Sequence, residues 1–400
     1  MTSVVQAEAL ITEHMPRRPV ERVAITAAVN RVLAESVQAE RDQPPFDRVT
    51  MDGIAISSTA WATGQRSFSI AAVQAAGVPA VNCPSPDACI QVMTGAVRPD
   101  GTDAVIPVER IRVEAGVAQV DDDAIVEPGR FIHPQASDRK NGETVLEPGV
   151  RIGPAEIAVL ASMGRAEVAT TSPATIAVIS TGDELVAVDE PEIAPYQIRS
   201  CNDLAVEASL KRAHLADCSR TTLPDDADRI LAAVSELHEK NDILILSGGV
   251  SMGDFDFVPA VLEKLEARVV FHRIDQKPGK PMWFGLSGAG KPIFALPGNP
   301  VSTLLCMTRY VLPALRLAAG LQPPPAEFAQ LSTDVMGPKN LTYFVPVGLS
   351  WSNEGIEMAE PRLTNTSGDF SSLATTDGFI ELQPGRGTHE AGNIGRIFRW

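Results

Sequence analysis

Three continuous runs of aliphatic and β-branched residues, each followed by a helical segment, constrain the fold of this chain more than any other feature. The runs cover residues 175–179, 242–246 and 293–296. Such runs are typical of strands buried on both faces, and strands that alternate with helices form parallel sheets. Residues 173–321 are therefore predicted to form an α/β domain with a parallel sheet. Its helices are expected at 202–213, 225–240, 258–265 and 300 to about 319.

The remainder of the chain has a different pattern. Apolar residues at helical spacing predict helices at 4–14 and 20–33. A further helix is expected from Pro154, with Gly164 as its end. Short apolar runs cut by Gly, Pro and Asp predict a mostly β module with strands at 69–73, 89–93, 104–108, 111–113 and 117–120. The predicted domains are 1–45 together with 141–172, 46–140, 173–321 and, as a small β-barrel or sandwich, 322–400.

Composition argues against several classes of protein. The formal net charge is −16, whereas nucleic acids and acidic membranes usually require a basic face. No apolar run approaches the ~18 residues of a transmembrane helix, and the first residues do not resemble a signal peptide. Five cysteines without a CxxC pair argue against a disulfide framework and against structural zinc. We therefore expect a cytoplasmic protein that binds neither nucleic acid nor membrane.

Each of the three predicted strands ends in a polar, Gly-rich loop. The loops are Thr181-Gly-Asp-Glu184, Ser247-Gly-Gly-Val-Ser-Met-Gly253 and Leu296-Pro-Gly-Asn-Pro300. In an open α/β sheet, ligands bind beyond the carboxyl ends of the strands, where backbone N–H groups and helix N-termini favour phosphate. Neither a Walker A lysine motif nor GxGxxG is present. One such loop is usually only a turn, but three at one edge favour a ligand site.

The sequence Lys277-Pro-Gly-Lys280-Pro281 places two ammonium groups at fixed spacing around a rigid turn. Arg273 stands four residues before Lys277. A solvated basic turn is the simplest interpretation of such a pair. In a chain that is acidic overall, the fixed spacing instead favours a site for an oxyanion such as phosphate or molybdate.

Carboxylates form the second set of candidates. Several acidic residues near a phosphate site can hold Mg²⁺, which takes oxygen ligands and binds substrate phosphates. Simpler roles are also open, because Asp often caps helices or stabilises turns, as Asp225 and Asp183 would. The carboxylates in question are Asp52, Asp183, Glu184, Asp225, Asp226, Asp254 and Asp256.

Seven short strings extend over nearly the whole chain. In this order and spacing they resemble the MoeA family of molybdopterin molybdenumtransferases and the related E domain of gephyrin. The strings are Pro45-Phe-Asp-Arg-Val-Thr-Met-Asp-Gly-Ile-Ala55, Met93-Thr-Gly-Ala96, Gly101-Thr-Asp-Ala-Val105, Ser180-Thr-Gly-Asp-Glu-Leu185, Ser247-Gly-Gly-Val-Ser251, Lys277-Pro-Gly-Lys-Pro281 and Leu296-Pro-Gly-Asn-Pro-Val-Ser302.

The resemblance implies a four-domain subunit, with the second domain inserted into the first, a molybdopterin-binding α/β domain and a C-terminal β-barrel. It also implies a homodimer whose active cleft lies between subunits. The implied reaction inserts molybdate into adenylylated molybdopterin and releases AMP, with Mg²⁺ as the divalent cation. A further implied partner is the molybdopterin adenylyltransferase that acts one step earlier.

Site residues follow from the resemblance position by position. Asp52, Thr94 and Asp256 are the implied catalytic residues, and Asp52, Glu184, Asp225 and Asp256 the implied metal ligands. The implied substrate-binding residues are Glu184, Gly248, Gly249, Ser251, Arg273, Lys277, Lys280, Pro297, Gly298, Asn299 and Ser367.

Three departures from the family pattern leave alternatives open. Pro346 stands where many members have a basic residue, and Gln135-Ala-Ser-Asp138 replaces an Arg/Gly-Glu-Asp stretch. Arg273 stands where some members have Lys, which keeps the charge but not the geometry. A molybdopterin adenylyltransferase, a paralogue that uses tungstate and a gephyrin-like scaffold protein are the alternatives.

Overall fold

The computed structural model describes residues 1–248, 258–364, 366–385 and 387–400. The chain forms two compact units. Among the described residues, no helix is long and apolar enough to cross a membrane. The predicted division into four domains remains a prediction. The first unit comprises Met1–Glu35, Pro148–Ile157 and Glu167–Trp400, and the second comprises Ser36–Glu147 and Ala158–Ala166.

A six-stranded sheet organises the α/β part of the first unit. The continuous apolar runs are explained by burial on both faces: Ile176 and Val178 pack into one core cluster, and Ala177 and Ile179 into another. The three strands predicted from these runs are adjacent and parallel, as expected. In order across the sheet, the strands are Ala216–Leu223, Ala174–Thr181, Ile243–Ser247, Pro292–Leu296, Trp283–Leu286 and Arg268–His272.

One edge of this sheet departs from the parallel arrangement. Trp283–Leu286 pairs antiparallel with both Pro292–Leu296 and Arg268–His272. The predicted parallel arrangement is confirmed for the three strands read from the sequence, and the antiparallel strand Trp283–Leu286 with its neighbour Arg268–His272 was not predicted. The reason is connection length, because short loops join antiparallel neighbours whereas a parallel pair requires a long crossover.

Helices flank the sheet at the predicted places. The long C-terminal helix is not uniform: Pro300–Cys306 continues as the π-helical turn Met307–Val311 and then as Leu312–Ala318. The sequence predicts its extent but not the π turn. The other helices of the first unit are Val4–His14, Asn202–Ala213, Ala227–Lys240 and Val258–Lys264.

The predicted helix at 20–33 is wrong. Val20–Ala24 and Val32–Leu33 are strands that pair antiparallel with Glu167–Thr171, and a 3₁₀ turn, Ile25–Ala27, separates them. Pairing with a segment far along the chain, together with the β-branched valines, outweighs the local helical spacing. The helix expected from Pro154 is confirmed as Pro154–Ser162, and Gly164 follows it with a φ of +70°.

The second unit is built around another six-stranded sheet. All five strands predicted for this module are present in the sheet; its sixth strand, Gly53–Ile56, was not predicted, nor were the short strands outside it. The remaining elements are the short helix Ser58–Ala62 and two short pairs, Val37–Gln38 with Thr144–Leu146 and Arg48–Val49 with Ile132–His133. In order, the sheet strands are Ala104–Pro107, Gly53–Ile56, Ala88–Val92, Ser67–Gln74, Val117–Val120 and Ile111–Glu114.

The C-terminal strands close on themselves. Thr342–Trp351 pairs with Glu357–Pro361 on one side and with Gly378–Leu382 on the other, which completes a five-stranded barrel. The barrel prediction is therefore confirmed over a sandwich. A short strand from the α/β part, Gln276–Lys277, adds in parallel to Thr342–Tyr343. The remaining two barrel strands are Glu327–Leu331 and Ile394–Arg399. Two short pairs lie outside the large sheets: Leu185–Val186 with Ile198–Arg199, and Val335–Met336 with Thr388–His389. Ser371–Thr375 is a 3₁₀ turn.

Candidate active site

The three strand-end loops of the first unit meet at one edge of the sheet. The Gly248 N–H donates to the carbonyl of Leu296 at 3.4 Å. A Cβ on Gly248 would lie 2.9 Å from the carbonyl oxygen of Thr181, and one on Gly298 would lie 3.4 Å from the Cα of Gly248. Backbone thus packs on backbone at Gly248, whose φ of +95° and close approach to Thr181 require glycine, whereas the contact at Gly298 is an ordinary van der Waals distance. Gly249, Ser251 and Asp256 lie outside the described residues.

Asn202, which the sequence analysis did not single out, joins two of these strand ends. Its side-chain Nδ2 donates to Ser247 Oγ at 3.0 Å and to the carbonyl of Gly298 at 2.7 Å. It is the first residue of the helix Asn202–Ala213. A polar residue at a helix start usually indicates a cap. The contacts by which Asn202 joins two strand ends are visible only in the fold.

A pocket of about 350 Å³ opens beside these loops, within the first unit. Lys277 and Lys280, both exposed, contribute its basic side, and none of the described residues that line it is acidic. Asn299 Nδ2 donates to Ser367 Oγ at 2.7 Å, so these two polar groups are held together at the wall. The pocket therefore favours an anion, although the whole chain carries a net charge of −16.

Several of the other residues that line this pocket are apolar, among them Tyr343, Phe344 and Leu363. Lys277 Nζ lies 5.7 Å from the ring centroid of Tyr343, within the range of a cation–π contact. Pro346 also lines the pocket, so the departure from the family pattern at this position falls inside the candidate site. Arg273, in contrast, is not among the lining residues. The structure brings together Lys277, Lys280, Pro297, Asn299 and Ser367 of the predicted set.

The carboxylates of the first unit have mixed roles. Asp183 Oδ1 accepts the N–H of Asp225 at 3.1 Å, which is the turn-stabilising role considered for Asp183. The helix Ala227–Lys240 is capped by Asp226, whose Oδ1 accepts the N–H of Arg229 at 2.9 Å, so Asp225 is not the N-cap. Glu184 is exposed.

These carboxylates do not form a metal cage by themselves. Within the part of the chain that the structure describes, no three His, Cys, Asp or Glu side chains lie close enough together to hold a metal ion. The oxygen donors still match a hard cation that arrives with substrate phosphates.

Asp52 is the candidate catalytic carboxylate of the second unit, and Thr94 holds it in place. Its Oδ1 accepts two hydrogen bonds from Thr94, one from the backbone N–H at 2.6 Å and one from Oγ1 at 2.8 Å. These bonds stabilise the carboxylate and hold the pKa of Asp52 below its usual value. Asp52 is exposed, and no described residue bonds to its Oδ2. It therefore presents a fixed, ionised oxygen at neutral pH.

Gly53 explains why a glycine follows this aspartate. A Cβ there would lie 1.9 Å from the carbonyl oxygen of Ile106 on the neighbouring strand. The strand Gly53–Ile56 can pair with Ala104–Pro107 only if residue 53 has no side chain. Asp52 and Thr94 are thus placed by the sheet of the second unit.

Comparison with known proteins agrees with this geometry. Three family descriptions match consecutive parts of the chain: "MoeA N-terminal region (domain I and II)" at residues 2–164, "Probable molybdopterin binding domain" at 177–317, and "MoeA C-terminal region (domain IV)" at 329–394. The chain belongs to the MoeA family. Membership makes it a transferase of molybdenum cofactor biosynthesis.

Individual members of the MoeA family match along their full length. The chain is 36% identical over 402 residues to a molybdopterin molybdenumtransferase of Synechocystis, with 100% of both chains covered. It is 32% identical to one of Bacillus subtilis, covering 94% of this chain and 89% of that one. The MoeA protein of Pyrococcus horikoshii has the same fold, with a TM-score of 0.83 at 27% identity and coverage of 100% and 99%.

Proposed function

We propose that this chain inserts molybdate into adenylylated molybdopterin and releases AMP, in the final step of molybdenum cofactor biosynthesis. The observation that carries the proposal is the acid-free pocket with Lys277 and Lys280 beside the strand-end loops. A substrate with phosphates and an oxyanion co-substrate both require such a site. The full-length similarity to proteins named molybdopterin molybdenumtransferase supports the same reaction.

The lysines have a direct electrostatic role in this proposal. Water that attacks phosphorus cleaves the phosphoanhydride into AMP and the pterin phosphate, both of which carry negative charge. A molybdate oxygen that attacks first forms a mixed anhydride, which water then hydrolyses to the same two phosphates and molybdate. Ammonium groups fixed near that charge stabilise the transition state more than the ground state. Asn299 and Ser367, which are bonded to each other, supply polar contacts to the bound oxygen atoms.

Asp52 is proposed as the catalytic carboxylate, with Thr94 as the residue that orients it. Because its pKa is held low, Asp52 is ionised at neutral pH, and its free oxygen can bind a cation or accept a hydrogen bond that orients the attacking group. Thr94 acts through Asp52, since both of its bonds go to the same carboxyl oxygen. No side-chain nucleophile is required.

Mg²⁺ and the remaining site residues are part of the proposal. A bound Mg²⁺ would neutralise phosphate charge, with Asp52, Glu184, Asp225 and Asp256 as the oxygen donors carried over from the family. Glu184, Gly248, Gly249, Ser251, Pro297 and Gly298 are proposed to contact the pterin nucleotide, and Arg273 to add positive charge. Loss of activity in EDTA, restored by MgCl₂ and not by NaCl, is the expected result.

A homodimer with an active cleft between subunits completes the proposal, with the molybdopterin adenylyltransferase as a further partner. Mixing inactive Asp52→Asn chains with inactive Lys277→Ala chains tests the shared cleft. Activity should return in the mixture if the two residues act from different chains. A mixture as inactive as its components would contradict a shared cleft.

The first experiment measures AMP release from adenylylated molybdopterin with Mg²⁺ and molybdate. We expect release that depends on molybdate in the wild type and falls at least about 100-fold in Asp52→Asn, because the neutral amide lacks the negative charge of the carboxylate. Asp122→Asn is the matched control, because it removes the charge of another carboxylate of the same unit. The Asp122 side chain is 95% exposed, and its ion pair with Arg66 is long at 3.8 Å. Absence of release from the wild type with any oxyanion would exclude the proposed reaction.

Pro346 is the basis of one alternative, in which the same reaction uses tungstate in place of molybdate. An apolar residue in the pocket wall, at a place where many family members have a basic one, alters the surroundings of the oxyanion. Comparing molybdate with tungstate in the same assay therefore decides the natural oxyanion. Product formation from free pterin and ATP would instead assign the adenylyltransferase step, and specific binding of a receptor-tail peptide without any turnover would assign a scaffold.

A further inference from the structure

The lysine turn, residues 277–280, rests on three buried side chains. Gln276 is 1% exposed, Tyr310 is 2% exposed and Cys306 is fully buried, whereas the two lysines above them are exposed. Gly279 has a φ of +87°, and a Cβ there would lie 2.6 Å from Gln276 Nε2 and 2.9 Å from Cys306 Sγ. The turn is therefore pressed directly onto this floor.

A chain of hydrogen bonds runs through the floor into the turn. The Tyr310 hydroxyl donates to Gln276 Oε1, and Gln276 Nε2 donates to the carbonyl of Pro278 at 3.0 Å. A phenol that polarises an amide strengthens the amide's own bond, because consecutive hydrogen bonds of this kind cooperate. The backbone N–H of Ile274 closes the turn by donating to the carbonyl of Lys280 at 2.9 Å.

Cys306 adds a weaker contact, and the whole floor is uncharged. Cys306 Sγ donates to the carbonyl of Gly279 at 3.8 Å. Burial raises the pKa of Tyr310 and of Cys306 well above their usual values, so both remain neutral donors. The floor therefore fixes the backbone of the turn without neutralising the charge of its lysines.

Tyr310 reaches this floor from the π-helical turn Met307–Val311. The helix that contains it begins at Pro300, directly after Asn299 at the pocket wall. π turns inside helices are frequent at functional sites, where they redirect side chains. The same helix therefore follows Asn299, a polar residue of the pocket wall, and carries Tyr310, which supports the lysine turn, in its π-helical turn.

We propose that Gln276 and Tyr310 are positioning residues that set the affinity of Lys277 and Lys280 for the oxyanion substrate. They act through the backbone of the lysine turn: Tyr310 does not line the pocket, and Gln276 reaches its wall but is 1% exposed. The inference rests on the proposed role of this turn in binding an oxyanion.

The test titrates the full-length protein with molybdate by isothermal calorimetry. Tyr310→Phe and Gln276→Met each break the hydrogen-bond chain at nearly constant volume, and each should weaken molybdate binding about tenfold. The double variant should bind no more weakly than either single variant, because both act through one chain of bonds. In turnover, the KM for molybdate should rise while the KM for adenylylated molybdopterin changes less than about twofold.

Thr308→Val is the matched control. Thr308 lies in the same π turn and is 6% exposed, and its hydroxyl has no hydrogen-bond partner among the described residues. This variant removes a similarly buried hydroxyl and should leave molybdate affinity unchanged. A loss of affinity in Thr308→Val equal to that in Tyr310→Phe would show a general packing effect and overturn the inference.

Gln276→Glu provides a rescue that a packing role would not show. A buried glutamic acid has a raised pKa, and its protonated form can accept from Tyr310 and donate to Pro278. Molybdate affinity of this variant should therefore recover as the pH is lowered, relative to the wild type. Affinity that stays low at every pH, in a folded variant, would contradict the positioning role.

Lys277→Ala and Lys280→Ala separate this inference from the proposed function. If the lysine variants lose molybdate binding and the Tyr310 and Gln276 variants keep it, the positioning role is wrong and the oxyanion site stands. If all variants bind molybdate like the wild type, both the positioning role and the lysine site are wrong. AMP release by the wild type then decides independently whether the proposed reaction occurs.

Discussion

At the scale of single residues, the pair Asp52 and Thr94 shows how one carboxylate is prepared for chemistry. Both hydrogen bonds from Thr94 end on Oδ1, so the carboxyl group is fixed in orientation and one oxygen faces outward. The carboxylate is ionised because both donors stabilise its charged form. The backbone N–H is the larger contribution to its low pKa, and the hydroxyl adds to it.

Replacing Thr94 by Val should lower AMP release about tenfold, because the side-chain bond is lost and the backbone bond is kept. Asp52 should then titrate closer to its ordinary pKa of 3.8. Since the wild-type carboxylate is protonated only at lower pH, the acid limb of the pH–rate profile should move to higher pH in Thr94→Val. Thr50→Val, at an exposed threonine two residues before Asp52, should leave the profile unchanged.

The same shift has a defined sign for stability. The folded-state pKa of Asp52 is depressed, so its stabilising contribution is present above the unfolded value of 3.8 and is lost as the pH falls through the folded value. The difference in stability between wild type and Thr94→Val that arises from Asp52 should therefore be constant above about pH 5 and shrink as the pH falls below 3.8, which denaturation midpoints measured across this range would show.

At the scale of elements, the candidate site depends on how closely three strand ends approach one another. Gly248 has a φ of +95° and lies against the carbonyl of Thr181. The N–H of Gly248 also bonds to the last residue of the next strand, Leu296. The loops are therefore positioned by backbone contacts that any side chain would disturb.

Gly248→Ala should destabilise the first unit by roughly 1–3 kcal/mol and weaken binding of the pterin nucleotide, because the new Cβ adds a clash to backbone strain. Gly290→Ala is the control for strain alone: Gly290 has a φ of +75° in the same unit, with nothing within 4 Å of its Cβ position. Urea unfolding and nucleotide titration measure both effects. Equal losses in the two variants would show that the close approach contributes nothing.

At the scale of the whole chain, Arg309 links segments that are far apart in sequence. It is 2% exposed and pairs with Glu381 of the barrel at 3.0 Å and with Glu8 of the first helix at 2.8 Å. Glu381 is also buried, at 6% exposure, whereas Glu8 is 41% exposed. The N-terminal helix, the long helix and the barrel of the first unit therefore share one ionic centre.

Arg309→Met should lower the free energy of unfolding by about 3–5 kcal/mol, because Glu381 is left as an uncompensated buried charge. The double variant Arg309→Met/Glu381→Met should recover much of this loss, since no buried charge remains. Glu8→Gln should cost less than about 1 kcal/mol, as expected for a partly exposed partner. Denaturant unfolding gives all three values, and an Arg309→Met loss below that of Glu8→Gln would contradict the argument.

The sequence predicts those parts of the fold where local pattern and final burial agree. The strand Ile243–Ser247 and the helix Asn202–Ala213 are of this kind, because burial on two faces or on one leaves a distinct spacing. The segment 20–33 is not, because its pairing partner, Glu167–Thr171, lies over 130 residues away. Local spacing contains no information about such a partner.

The candidate site also contains some residues that the sequence indicates and others that only the fold brings into view. Glycines and lysines in short loops make Gly248, Lys277 and Lys280 candidates, because three Gly-rich strand ends and a paired lysine turn in an acidic chain together favour an anion site. The support beneath them is not visible in the sequence, because Gln276 and Tyr310 are 34 positions apart and meet only through a π turn.

Cys306 gives the lysine turn an intrinsic reporter. Its thiol lies beneath Gly279, fully buried and with a raised pKa, so an alkylating reagent can react with it only when the turn lifts. In a variant that retains Cys306 as its sole cysteine, the alkylation rate would measure how often this turn opens. Bound oxyanion should slow that reaction, so the turn's motion and its occupancy become readable from one sulfur atom.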